Sequence, residues 1–192
     1  MRIIGLTGSI GMGKSATAAI FREFGVPVHD SDVAVHQIYA SSEASSIVAA
    51  FPQAAGPNGI DRKKLGEIVL NDAGAMKRLE ALVHPLVSAH RAEFLADAQK
   101  AGARFAVCDV PLLFETGLDR QMDVIVVVSA PFEVQKARVL QRPGMTQAKF
   151  DAILAKQIPD ENKRQKAHLV VDTSQGFDDA RLQIGRFLRA LV

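Results

Sequence analysis

One short stretch carries the clearest chemistry in this chain: Gly8-Ser9-Ile10-Gly11-Met12-Gly13-Lys14-Ser15. The spacing G-x-x-x-x-G-K-S combines glycines, which let a backbone curl its N–H groups around an anion, with a lysine and a hydroxyl placed to meet it. Such a loop binds polyphosphate when a buried strand precedes it and a helix follows. Ile3-Ile4-Gly5-Leu6 reads as that strand. Thr17, Ile20, Phe21 and Phe24 recur at the period of one helix face, and Gly25 stands where a left-handed cap would end the helix. The expected roles follow from the loop's physics. The amides of Gly11, Met12, Gly13, Lys14, Ser15 and Ala16 hold phosphates, Lys14 reaches the β- and γ-phosphates, and the Ser15 hydroxyl takes Mg²⁺. Gly8, Gly11 and Gly13 lack Cβ atoms, so the backbone there can take positive φ. The competing reading, a glycine-rich turn with a chance lysine, has the strand–loop–helix register against it.

Other candidates are less specific. Asp30 and Asp32 end a second apolar run, where open α/β sheets bind ligands. Asp32 is equally readable as a helix N-cap or as a catalytic carboxylate. Asp109 ends a third run and looks like an acidic residue that orders Mg²⁺ through water, or a cap of the following turn. Arg138 and Arg142 flank a Pro143-Gly144 break that suits a mobile lid, about 138–150; on the residues alone, a solvated pair is the stronger reading. His84 precedes Pro85 in a helical pattern, which Pro85 is expected to kink or break; base rates favour a core-facing or polar-lined histidine over a ligand contact. The mixed run Ile158 to Lys166 reads as a solvated face. His29, His36, His84, His90 and His168 show no paired metal-ligand spacing.

These residues need a scaffold. Strand signals lie at about Arg2–Thr7, Val26–His29, Arg104–Val110, Asp123–Ser129 and His168–Asp172. Runs such as Val124 to Val128 suit strands buried on both faces, and helices between them make a three-layer α/β fold with a parallel sheet. From Ser42 to Leu95 no long strand appears, and Gly56-Pro57-Asn58-Gly59 is turn material. So much helix between strands predicts an inserted helical substrate domain, about 41–102, in a core of about 1–40 and 103–192.

The 192 residues fit one domain with an insert, and 48% hydrophobic content supports a sizeable core. A net charge of +2, from 23 basic and 21 acidic residues, argues against a dedicated nucleic-acid surface. No membrane span or signal peptide is read, so a cytoplasmic setting is the default. Cys108, in an apolar stretch, is expected to be a buried thiol. Nothing sets an oligomeric state; a monomer is marginally favoured.

Taken in order, the motifs resemble the dephospho-CoA kinase family. The resemblance rests on Gly5 to Ser15, Asp30 to Asp32, Arg62 with Leu65, His84-Pro85, Pro111-Leu112-Leu113-Phe114-Glu115 and Gln141-Arg142. It implies a single-domain P-loop kinase with a five-stranded parallel sheet, a helical substrate insert and a lid. The implied reaction is phosphorylation of the ribose 3′-hydroxyl of dephospho-CoA by ATP, the last step of coenzyme A synthesis. The implied partners are these two small molecules, with Mg²⁺. Asp32 would orient the acceptor hydroxyl, Arg138 and Arg142 would close on the phosphates, and Arg62 and His84 would face the acceptor. Met12 and Ala16 depart from the family's usual Ser and Thr. The Met12 change is expected to be mild because that position contributes mainly backbone; Ala16 is expected to weaken nucleotide binding at most. Ser174 stands where the family often has Asn, which puts any base contact there in doubt. Another P-loop small-molecule kinase is the alternative. A nucleotide switch ranks below both, because Asn162-Lys163-Arg164-Gln165 lacks the Asp of a guanine-reading motif.

Overall fold

A computed structural model of the chain describes every residue except Asn58, Asn71 and Val192. The strands are β1 (Arg2–Thr7), β2 (Val28–Asp30), the short pair β3 (Ala55–Gly56) and β4 (Gly59–Ile60), then β5 (Phe105–Asp109), β6 (Val124–Ser129) and β7 (Leu169–Asp172). The helices are α1 (Lys14–Glu23), α2 (Ser31–Tyr39), α3 (Ser45–Ala50), α4 (Arg62–Val69), α5 (Ala73–Lys100), α6 (Phe132–Leu140), α7 (Gln147–Leu154), α8 (Asp160–Gln165) and α9 (Phe177–Ala190). The five longer strands form one sheet in the order β2-β5-β1-β6-β7. β1 pairs in parallel with β5 and β6, and β6 with β7.

Every residue of β6 is buried. Alternate side chains point to opposite faces, so a strand buried throughout needs cover on both, and the core is a three-layer α/β unit. On one face Ile4, Leu6, Val124, Val126 and Val128 pack with Ile20 and Phe21 of α1 and Ile184 of α9. Parallel pairing gathers the carboxyl ends of the strands on one edge. Leu6 lies opposite Asp109, Thr7 opposite Val127 and Ser129 opposite Asp172, so Gly8, Val110, Ala130 and Thr173 leave the sheet on that edge.

The chain forms two compact units, one of Met1–His29 with Ala98–Val192 and the other of Asp30–Asp97. The helical unit thus begins ahead of residue 41, where the insert is expected to start. The earlier start reflects α2, whose Ile38 is buried with Ile47, Phe51, Leu65, Val69, Leu79 and Val83 in the helical unit's own core. β3 and β4 pair across the expected turn, in which Asn58 lies outside the described residues. Pro85 does not break its helix: α5 runs 28 residues through it. Leu79 and Val83 before it, and Leu86 and Val87 after it, belong to one cluster. Their burial outweighs the about 3 kcal/mol that an interior proline costs.

The cap of α2 is Asp30, not Asp32. The Asp30 carboxylate accepts the N–H groups of Asp32 and Val33 at 3.0 and 3.1 Å. Asp32 is exposed in the first turn, where its charge faces the positive end of the helix dipole. Asp30→Ala should therefore lower stability by about 1–2 kcal/mol, against about 0.5 kcal/mol for Asp32→Ala, measured by urea denaturation.

Candidate active site

Gly11 and Gly13 adopt φ of +81° and +91°, in the left-handed region that favours glycine. Gly8 does not use that freedom, and its requirement is space. A Cβ there would come within 2.3 Å of Val128 Cγ2 and 2.8 Å of the Val128 carbonyl oxygen. α1 then starts at Gly13 with no side-chain cap, whereas α2, α4 and α7 are capped by Asp30, Asp61 and Thr146. The first-turn amides at Lys14, Ser15 and Ala16 consequently have no partner among the described residues. They form the positive end of the helix dipole, a seat for an anion. The Met12 N–H is already used, donating to the Ser9 carbonyl at 3.1 Å.

The Lys14 ammonium meets Asp109 Oδ1 at 2.5 Å. Asp109 is only 1% exposed, at the end of β5 beside β1. Ser15 and Ala16 are exposed. Lys14, Ser15 and Asp109 thus group a cation, a hydroxyl and a carboxylate around the helix N-terminus.

What holds the loop lies beyond the motif. Thr173 Oγ1 donates to the Met12 carbonyl at 2.8 Å. Arg138 Nη1 donates to the same hydroxyl at 2.9 Å, and its Nη2 to the Thr173 carbonyl at 2.7 Å. Arg138 is therefore a brace beneath the loop, unlike Arg142, which is exposed between α6 and α7 with no side-chain partner among the described residues. Met12 contributes more than backbone: its buried sulfur accepts the Ala130 N–H at 3.1 Å. Thr173 went unread in the sequence, although its place directly after β7, at a carboxyl strand end, is a usable signal.

The run Ile158 to Lys166 is not a solvated face throughout. Lys163 is 0% exposed and sits 2.9 Å from Glu115 Oε1, which also accepts the Ile158 N–H at 2.9 Å. Ser129 Oγ donates to Asp160 Oδ2 at 2.7 Å. Burial works to raise the Glu115 carboxyl, but the Lys163 contact and charge and the Ile158 N–H outweigh it and hold the group below its ordinary value.

In the helical unit, Arg62 Nη1 lies 3.0 Å from His36 Nδ1, which must accept because a guanidinium only donates. Asp30, Asp32 and His36 line one open cleft of about 390 Å³. His84 is exposed on α5 with no partner among the described residues, so it is not a core-facing histidine. Among the described residues no cluster of three or more His, Cys, Asp or Glu could hold a metal, and no helix is long and apolar enough to cross a membrane.

Comparison with known proteins agrees on one family. The model described as dephospho-CoA kinase matches residues 2–179. The chain is 56% identical over 190 residues to a dephospho-CoA kinase of Rhodopseudomonas palustris strain BisB18, covering 99% of this chain and 96% of the relative. Its fold is similar to a crystal structure from Thermus thermophilus, with a TM-score of 0.86 and 31% identity over 100% of this chain and 97% of that one. It is also similar to dephospho-CoA kinase from Campylobacter jejuni, with a TM-score of 0.70 and 26% identity over 98% and 96%.

The Glu115–Lys163 pair makes a stability prediction. Glu115→Ala strands a buried ammonium and should destabilise by about 3–5 kcal/mol. Because the folded carboxyl titrates below its ordinary 4.5, its contribution is complete above that pH and is lost as the pH falls toward the folded value. Acid titration of the unfolding free energy should show that loss, and Glu115→Gln should flatten it.

Proposed function

This chain belongs to the dephospho-CoA kinase family, and we propose that it transfers the ATP γ-phosphoryl directly, in line, to the ribose 3′-hydroxyl of dephospho-CoA. The products are coenzyme A and ADP. The observation that carries the donor half is the uncapped start of α1, with Lys14 beside it. The amides of Gly11 and of Gly13 to Ala16, which have no partner among the described residues, bind phosphate oxygens. The Met12 amide, engaged within the loop, contributes shape instead. Lys14 exchanges Asp109 for the β- and γ-phosphates, where its charge offsets the negative charge that spreads over the transferring group.

Ser15 and Asp109 fit Mg²⁺. Both are hard oxygen donors, and Mg²⁺ typically takes one or two protein ligands with phosphates and water rather than a full protein cage. Ser15 would hold the ion directly and Asp109 through water. When bound, Mg²⁺ supplies further neutralisation of phosphate charge.

Asp32 accepts a hydrogen bond from the acceptor hydroxyl. Its carboxylate is available because Asp30 performs the capping. In a loose transition state positioning outweighs deprotonation, so orientation is the larger part of its role. Arg62, oriented by His36, and the exposed His84 engage the acceptor. Arg142 closes over the phosphates and excludes water, which otherwise competes as acceptor. Arg138 acts through Thr173 on the loop.

The deciding assay couples ADP release to a spectrophotometric readout, with and without dephospho-CoA. Acceptor-dependent release is expected, and acceptor-independent turnover would remove the kinase reading. Lys14→Ala should lower kcat at least about a hundredfold, given the weight of one preorganised electrostatic donor. Asp32→Asn should lower kcat strongly, about a hundredfold, with little change in ATP affinity or melting temperature. For Arg142→Ala the ratio of ATP hydrolysis to transfer should rise; an unchanged ratio removes its lid role.

A further inference from the structure

Ile10 lies in the middle of the phosphate loop, and both of its backbone polar groups are taken by glutamines distant in sequence. Gln135 Nε2 donates to the Ile10 carbonyl at 2.7 Å, and Gln157 Oε1 accepts the Ile10 N–H at 3.1 Å. The partners decide which way each side-chain amide faces, because a carbonyl only accepts and an N–H only donates. The glutamines also bracket the segment that carries Arg142. Gln135 belongs to α6, before it, and Gln157 follows α7, after it.

Neither post is loose. Gln135 is 3% exposed. Ile158, next to Gln157, is tied to Glu115, which Lys163 holds in turn. The loop shape leaves little room for error at this point. A Cβ on Gly11 would meet Val139 Cγ2 at 2.5 Å and the Gln135 carbonyl oxygen at 3.0 Å, so α6 presses directly on the residue after Ile10.

We propose that Gln135 and Gln157 are positioning residues of the donor site, holding Ile10 from both sides so that the loop is curved for phosphate before nucleotide arrives. A carbonyl bonded to Gln135 stays turned away from the anion seat, where its partial negative charge would oppose phosphate. The same two bonds tie the loop to both ends of the Arg142 segment, so closure of that segment and the shape of the loop are linked. The inference rests on the reading of Gly8 to Ser15 as the donor site.

The test uses Gln135→Glu, Gln157→Leu and Gln157→Glu in the full chain, with calorimetric titration of ADP and AMP and steady-state transfer to dephospho-CoA. Glutamate at 135 replaces the donor with a second acceptor against the Ile10 carbonyl. Glutamate at 157 keeps the acceptor that leucine removes. Gln135→Glu and Gln157→Leu should each weaken ADP binding and raise the KM for ATP about tenfold. The KM for dephospho-CoA should move less than about twofold, and AMP, lacking the phosphates at the loop's centre, should bind as in the native chain. Gln157→Glu should recover most of what Gln157→Leu loses. The clamp is refuted if the two glutamate variants behave alike, if AMP weakens in step with ADP, or if both KM values rise together. Should Gln135→Glu melt early, the leucine–glutamate comparison at the less buried Gln157 decides alone. Lys14→Ala separates the two levels. If it leaves ADP binding intact, the donor-site reading falls; if it abolishes binding while the glutamine variants bind normally, only the clamp falls.

Discussion

A loop that reserves its amides for a ligand cannot use them to hold itself together. Several other helix starts in this chain resolve the same tension locally, by a carboxylate or hydroxyl one residue ahead of the helix, as at Asp30, Asp61 and Thr146. α1 has Gly13 there instead. Its shape is imposed from outside, by groups that touch everything except the reserved amides. Thr173 takes the Met12 carbonyl, Ala130 meets the Met12 sulfur, and two glutamines take Ile10, while the Met12 N–H is spent inside the loop on the Ser9 carbonyl. Val128 and Val139 form the shelf on which Gly8 and Gly11 rest. These posts come from β6, α6, the turn after α7 and the turn after β7. Only a parallel sheet, which brings its carboxyl ends to one edge, gathers so many separate segments around one loop.

Two lysines show how burial separates a working cation from a structural one. Lys14 and Lys163 each face one carboxylate, at Asp109 and Glu115. The Lys14 side chain keeps 15% of its surface open, so its ammonium can change partners at modest desolvation cost. Lys163 has no open surface, and losing its partner would leave an uncompensated charge in the interior. The first arrangement permits exchange with an anion. The second fixes the segment after α7, and with it Gln157, in place.

What was legible in the sequence was local. Glycine spacing, apolar runs and Pro143-Gly144 are read within a few residues, and the strands, α1 and the break between α6 and α7 follow from them. What was missed depends on partners far along the chain. Gly8 owes its identity to Val128, Arg138 to Thr173, and Lys163 to Glu115. No periodicity in 158–166 marks one lysine of a charged run as buried. The aspartate pair failed for a different reason: Asp32 is read as the cap, whereas Asp30 serves, because the helix begins two residues earlier than that reading requires. Pro85 misled because its local cost is certain, whereas the compensating core around Val83 and Leu86 is assembled from the whole helical unit.

Cys108 gives this architecture an internal clock. It is the chain's single cysteine, fully buried in β5 between β2 and β1, one residue before Asp109. A thiol reagent reaches it only while that strand is open, and with one thiol every labelling event reports the same opening. The labelling rate therefore reads how often the sheet parts at β5, one site rather than an average over the molecule. Anything that bridges the ends of β1 and β5 slows that clock without touching the sulfur.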